Sequence, residues 1–300
     1  YYLLKFGNSQ YSSAELEMAY HEMAVNAGIS MMPSEIYETD GNKNFITKRF
    51  DRDRERKLHT QTLAAISPET ESYEGLIAVC RKLHLPESDC QEVFRRLVFN
   101  ILSNNTDDHT KNFSFIMDET GKWRLSPAYD LTYIIDAGGY LPNTGHCMYV
   151  RAKLHNISYD DAIEFAKDNG IRRADSIIQA VVGSLKQFRT IAQKYAVQDR
   201  WINTVEDAIN RHLDLWGFAN SNKTAVNLVI NGTQYNNVRI EQTYKGNFHL
   251  YANINGAERK YVIGKNKSEY GLIQSIGVSN LSKDLLADMV EKFLCHSDYC

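Results

Sequence analysis

Proline is scarce in this sequence and glycine is ordinary, at 5 and 17 in 300 residues. That excludes a collagenous or linker-dominated chain. Cysteine numbers five, an odd count without regular spacing. No disulfide framework is built in, and a reducing compartment fits best. No apolar run approaches the roughly 20 residues of a membrane-spanning helix. Neither sign of charge dominates: 34 Lys and Arg stand against 37 Asp and Glu, a formal net charge of −3. A protein built to coat nucleic acid or an anionic membrane would be strongly basic. Charge therefore predicts no direct nucleic-acid binding and no membrane partner, and the expected location is cytoplasmic. An initiator Met is also missing, and residues 1–6 already read as a strand. We expect an N-terminal truncation.

What is present is ordinary globular material, 43% hydrophobic and 11% aromatic. A chain of this length buries enough surface to need no cross-links. After the first strand, Ser12 and Glu15 have capping-box spacing, and Leu16, Ala19, Tyr20, Met23 and Ala27 recur at helical intervals until Gly28. Residues 35–37 and 44–50 flank Asp40-Gly41 and predict a hairpin. The alternating charges of 51–57 predict a solvated loop or helix start. Ser88 and Gln91 form a second capping box, before a helix with Phe94, Leu97, Val98 and Ile101 on one face. That helix leads into a polar cluster at 104–112. Residues 113–117 and 123–125 predict another hairpin around Glu119-Thr120-Gly121, its return strand ending in Ser126-Pro127-Ala128-Tyr129-Asp130. From Ser158 the chain is helical, with apolar stripes at 178–195 and 202–216; His212 reads as filler on the second. Beyond about 220, short strands at 224–230, 234–242, 248–254 and 260–263 precede a helix over 281–294, with Asn-Gly turns at 231–232 and 255–256.

The chemistry concentrates at 104–112, where two carboxylates, a histidine, a lysine and an asparagine crowd one short connection. A hairpin brings its two feet together, which makes Asn112 and Asp130 neighbours. An amide and a carboxylate, both oxygen donors, suit Mg²⁺ bridging nucleotide phosphates. Asp107, upstream and free of metal, is set to accept the proton of an attacking hydroxyl. A lysine for phosphate charge completes the requirements of phosphoryl transfer. Lys5 interrupts an apolar strand and needs a partner, for which Glu17 on the next helix is the candidate, with Glu15 and Glu22 as alternatives. The hairpin ending in Lys48-Arg49-Phe50 falls where a kinase has its adenine hinge. The base-x-x-x-x-Asn spacing and the later Asp follow the order of a protein kinase.

The stretches N-N-T-D-D-H-T-K-N-F-S-F at 104–115 and W-R-L-S-P-A-Y-D-L at 123–131 resemble the HipA family of bacterial serine/threonine-protein kinases. K-R-F-D-R at 48–52 is similar to that family's hinge, and residues 1–6 to its phosphate-lysine strand; the resemblance extends over about residues 1–216. It implies an α+β, kinase-like bilobed fold with a mostly helical C-lobe. The expected divisions are a truncated ATP-binding lobe (1–57), a helical catalytic lobe (58–219) and a small strand-rich α+β module (220–300). It also implies ATP- and Mg²⁺-dependent phosphorylation of protein Ser/Thr, aminoacyl-tRNA synthetases among the substrates, and a DNA-binding antitoxin as partner. Residue by residue, Asp107 matches the base, Asn112 and Asp130 the metal ligands, and Lys5 the ATP lysine. Lys48, Arg49 and Phe50 match the hinge, and His109, Lys111 and Tyr129 fall in nucleotide-contacting segments.

Two other readings stay open: a kinase-like regulatory or binding module without turnover, and a small-molecule phosphotransferase. Other motifs carry less. The glycines at 256 and 264 before Lys265 lack the spacing of a phosphate loop, and Asn266 stands where a Ser or Thr is required. Cys295, His296 and Cys300 are too few ligands for a metal site.

Overall fold

The computed structural model describes residues 1–135, 145–218, 226–242, 247–276 and 281–294. The chain divides into two compact units, Tyr1–Ile209 and Asn210–Cys300.

The first unit opens with β1 (Tyr2–Lys5), α1 (Ser13–Asn26), β2 (Ser34–Thr39) and β3 (Asn42–Lys48). The strands form an antiparallel sheet in the order β1-β3-β2, with Leu3 opposite Thr47 and Lys5 opposite Phe45. Asp40 and Gly41 both have positive φ, as the tight two-residue turn between β2 and β3 requires. Helix α1 packs Ala14 and Met18 onto Phe45. Its expected capping box is absent. Ser12 is left-handed (φ 48°) and makes no cap, because its Oγ accepts the Gln198 backbone N–H at 3.2 Å. The charged run at 51–57 is neither open loop nor helix: β4 (Arg52–Asp53) and β5 (Arg56–Lys57) pair across a turn in which Arg54 is left-handed.

Then come β6 (His59–Thr62), α2 (Leu63–Ile66), α3 (Tyr73–Lys82) and α4 (Glu87–Ser103). The capping box expected at Ser88 is also absent. Pro86, at φ −67°, precedes the first turn, so the helix starts at Glu87 and Ser88 lies inside it. Glu87 and Asp89 supply the negative charge that a helix N-terminus favours. A 3₁₀ turn (Thr110–Asn112) leads to β7 (Ser114–Met117) and β8 (Trp123–Leu125), which complete a three-stranded sheet in the order β6-β7-β8.

The remaining helices are α5 (Tyr159–Asp168), α6 (Ala174–Leu185), α7 (Phe188–Lys194) and α8 (Asp199–Leu215). Ser158 and Asp161 form a reciprocal cap at the start of α5. The apolar stripe at 178–195 is divided between α6 and α7, with Ile178, Val181, Leu185, Phe188 and Ala192 all buried. Phe94 of α4 stacks on Phe165 of α5 at 6.1 Å, and Tyr20 of α1 meets Phe99 and Phe188 edge-on. This aromatic core joins the helix bearing Glu17 to the helix that feeds the 104–112 loop.

The second unit begins within α8 and continues as a meander of β9 (Val226–Ile230), β10 (Thr233–Gln242), β11 (Phe248–Ile254) and β12 (Ala257–Ile263), followed by α9 (Ser268–Ile276) and α10 (Lys283–Leu294). Asn231-Gly232 and Asn255-Gly256 turn with positive φ at both positions, as a type I′ hairpin requires. Leu228, Ile240, Leu250 and Ile263 share a core with Leu286, Met289, Val290 and Phe293 of α10. The sequence reading missed helix α9, although Asn266 and Glu269 stand at capping-box spacing at its start. Residues 224–225, at the start of the first expected strand there, and the terminal Cys295, His296 and Cys300 lie outside the described residues. No described helix is long and apolar enough to cross a membrane. Among the described residues, Cys80, Cys90 and Cys147 are free thiols.

The burial pattern sets a stability contrast. Phe94→Ala should lower stability by about 3–5 kcal/mol through the cavity it leaves. Phe6→Ala, at a residue 83% exposed, should change it by no more than about 0.5 kcal/mol. Urea unfolding of both variants checks this; equal midpoints would contradict the described core.

Candidate active site

Helix α4 ends at Ser103, and Asn104 follows in the left-handed conformation (φ 57°) that asparagine tolerates. The loop beyond it is held by a buried carboxylate. Asp108 is almost fully buried, and its Oδ2 accepts the Tyr73 hydroxyl at 2.8 Å and pairs with His146 Nδ1 at 3.0 Å. Its Oδ1 accepts the Cys147 backbone N–H at 2.7 Å. Asn100 donates to the Tyr73 hydroxyl at 3.0 Å, and Asn105 donates to Asn100 at 3.0 Å. With Asp108 turned inward, its neighbour Asp107 faces outward, 46% exposed, its carboxylate 3.6 Å from His109 Nε2. Asn112 Nδ2 donates to the Asp107 carbonyl at 2.8 Å, which leaves the amide oxygen as the atom it could offer to a cation.

The β7–β8 hairpin brings its feet together as expected. Ser126 N–H donates to the Ser114 carbonyl at 2.9 Å. The Tyr129 hydroxyl lies 2.6 Å from Ser114 Oγ and donates to the Lys111 carbonyl at 2.7 Å. Asp130 follows in the left-handed region (φ 60°). Asp107, Asn112 and Asp130 line one small cavity.

Asp130 also reaches across to the sheet. Lys5 Nζ lies 2.6 Å from Glu17 Oε1 and forms an ion pair with Asp130 as well. The alternative partners are occupied elsewhere: Glu15 faces Lys43 at 3.5 Å and Glu22 faces Lys194 at 2.6 Å. Burial works against the Lys5 charge, but the Glu17 and Asp130 carboxylates outweigh it and raise its pKa. Burial raises the Glu17 pKa, Lys5 opposes the rise and Asp130 adds to it. His21, one turn beyond Glu17, pairs with the Met32 carbonyl at 2.8 Å; burial lowers its pKa and favours the neutral ring.

A cleft of about 290 Å³ opens above this ion pair. Lys5, Glu17 and Asp130 supply its charged lining, and Leu3, Met31, Met32, Phe45, Phe50 and Ala128 its apolar walls. Lys48 and Arg49 also line it; Arg49 Nε donates to Asp51 at 2.7 Å and holds that carboxyl below the usual range. Phe50 stacks on Tyr129 at 5.5 Å. The cleft and the small cavity share Ala128, Tyr129, Asp130 and Leu131. His109 and Lys111 line neither: His109 sits beside Asp107, and Lys111 engages Tyr129 through its carbonyl. Sequence reasoning passed over Asp108 as an anchor, together with His146 and Tyr73. Burial is what distinguishes them, and residue type alone does not signal it.

Among the described residues, no group of three or more His, Cys, Asp or Glu side chains forms a metal cage. An amide oxygen and a carboxylate beside a paired lysine instead suit a hard cation that takes its remaining ligands from phosphate oxygens and water.

A three-stranded sheet beside a helix with an ion-paired lysine, an apolar cleft, and a mostly helical region carrying an Asp-x-x-x-x-Asn loop together define the kinase-like α+β fold. A family model described as HipA-like C-terminal domain matches residues 1–189, and the chain belongs to that family. "Putative kinase Y4mE" of Sinorhizobium fredii is 21% identical over 219 residues, covering 66% of this chain and 52% of that protein. "Putative kinase" of Haemophilus influenzae is 25% identical over 223 residues, covering 62% and 64%. The chain thus spans between half and two-thirds of the length of these relatives. The solved Shewanella oneidensis MR-1 HipA, in complex with HipB and its operator DNA, matches with a TM-score of 0.59 at 17% identity. That match covers 72% of this chain and 59% of HipA, and the likeness is one of fold.

The ion pair makes a pH-dependent prediction. A carboxyl whose folded pKa lies above its unfolded value contributes stability that is present below the unfolded pKa and lost as pH rises through the folded one. Lys5→Met removes the charge that opposes the rise at Glu17. The melting-temperature deficit of Lys5→Met against wild type should therefore grow between pH 5 and pH 8. A constant deficit would contradict the pairing. Asp108→Asn should destabilise the protein by about 1–3 kcal/mol in denaturant titration, since the amide cannot accept from all three partners. An unchanged midpoint would remove Asp108 as the anchor.

Proposed function

We propose that this chain is the catalytic portion of a HipA-like kinase that transfers the γ-phosphoryl group of ATP, with Mg²⁺, to a Ser or Thr hydroxyl of a protein. The observation that carries this reading is the convergence at Asp130. It shares one cavity with Asp107 and Asn112 and an ion pair with Lys5 and Glu17. Magnesium-bound ATP supplies the phosphoryl group and a cation that shields its charge.

The chain's residues divide the remaining work. Lys5, held by Glu17, would offer its charge to a phosphate oxygen, and Asn112 and Asp130 would hold the cation. The apolar walls, with Phe50 stacked on Tyr129, take the purine, and Lys48 and Arg49 line the cleft beside it. Asp107, half-exposed and fixed through the Asn112 bond to its carbonyl, accepts the proton as the acceptor oxygen bonds to phosphorus and the bond to the ADP oxygen breaks. Asp108 stays in the wall and orients its neighbour.

The partner reading follows from the family. HipA of Shewanella oneidensis is held with HipB and operator DNA in its solved complex, and we propose for this protein a DNA-binding antitoxin of the same general kind.

Asp107→Ala should lower phosphate transfer by about 10²–10⁴-fold with far-ultraviolet circular dichroism unchanged. Asp130→Ala should in addition weaken Mg²⁺-dependent ATP binding. Radiolabel transfer to protein and small-molecule acceptors, paired with nucleotide titration, checks both. Transfer at the wild-type rate by Asp107→Ala removes it as the base, and a preference for sugars or aminoglycosides favours a small-molecule phosphotransferase.

A further inference from the structure

Arg96 lies on α4, one helical turn past Glu92, and is 1% exposed. Burying a guanidinium is costly unless its donors are met. Its Nε donates to Glu92 Oε1 at 3.0 Å, and its Nη2 donates to the Ser126 carbonyl at 2.7 Å. Glu92 Oε1 also accepts the Ser30 backbone N–H at 3.0 Å, and Arg95 holds the other oxygen at 2.8 Å. Ser30 in turn accepts the Ala128 N–H on its carbonyl at 2.7 Å, and Met31 bridges Ala128. One buried ion pair thus grips two segments far apart in sequence. The first links the helix of Glu17 to the hinge hairpin; the second runs through Ser126 and Ala128 to Asp130.

The third nitrogen adds to this. Arg96 Nη1 and Asn105 Oδ1 have no partner among the described residues. Both residues line the small cavity that Asp107, Asn112 and Asp130 also line, which has room for about one water molecule. A buried donor and a buried acceptor at a water-sized space suit a bridging water, which would link α4 to the 104–112 loop.

We propose that the Glu92–Arg96 pair is a positioning device for Asp130, locking the 126–130 segment to Ser30 and, through the cavity, to the loop of Asp107. The proposal rests on the reading of Asp130 as a cation ligand. A pair serving stability alone is replaceable by apolar side chains of similar volume, whereas a positioning pair is not. The test therefore uses the double variant Glu92→Met/Arg96→Met, with two readouts. One is hydrogen exchange at the Ser30 and Ala128 amides; the other is the Mg²⁺ concentration at which ATP binding is half-maximal.

The double variant should keep its circular dichroism while both amides exchange faster and the Mg²⁺ requirement rises by about tenfold, the usual effect of removing a residue that orients a ligand. Wild-type exchange and wild-type Mg²⁺ dependence in the folded double variant overturn the proposal. If that variant does not fold, Arg96→Lys, which keeps the charge but loses the fork, should shift both readouts in the same direction, and wild-type values there overturn it equally. Wild-type protein whose ATP binding ignores Mg²⁺ overturns the reading of Asp130 itself, whatever the exchange rates.

Discussion

One ammonium group holds the site together. Lys5 sits between Glu17 and Asp130, carboxylates that belong to elements separated by more than a hundred residues. Two carboxylates gathered on one ammonium repel each other, and the cation between them offsets that repulsion. The ion pair therefore reports on β1, on the angle of α1 and on the segment after the β7–β8 hairpin at once. Each of those is braced separately: α1 by the Tyr20 contacts to Phe99 and Phe188, and the hairpin by its Ser114 and Lys111 bonds to Tyr129.

The neighbouring aspartates divide their duties by burial. Asp108 spends its charge on three internal partners, and Asp107 remains half-exposed beside the cavity. The base proposed at Asp107 must be accessible yet immobile, and an anchored neighbour meets both demands without enclosing it. Arg96 and Glu92 do comparable work beneath Asp130, where a buried pair fixes backbone that carries no regular secondary structure. Here the polar interior serves placement, which apolar packing alone does not specify.

Much of this was legible in the sequence because local chemistry agrees with the fold. Asp40-Gly41, Asn231-Gly232 and Asn255-Gly256 name their turns, and helical spacing names the buried faces of α1 and α4. The convergence of Asn112 and Asp130 was readable because a hairpin has only one way to bring its feet together. Three kinds of feature escaped. The caps at Ser12 and Ser88 were misread because a tertiary donor took one hydroxyl and Pro86 moved the start of the other helix. Helix α9 was missed because it is short, nine residues with Gly271 among them, and its helical signal is weak. The anchors Asp108, His146 and Arg96 were invisible because a charged residue buried by long-range partners looks, in sequence, like one exposed to water.

The central claim, that Asn112 and Asp130 jointly hold a divalent cation beside Lys5, is tested most directly by a crystal structure with Mn²⁺ and a non-hydrolysable ATP analogue. The account predicts an anomalous peak about 2.1–2.2 Å from the Asn112 amide oxygen and from the Asp130 carboxylate, with Lys5 moved onto a phosphate. A cation bound elsewhere, or a nucleotide seated with Lys5 still clasping Asp130, would contradict it.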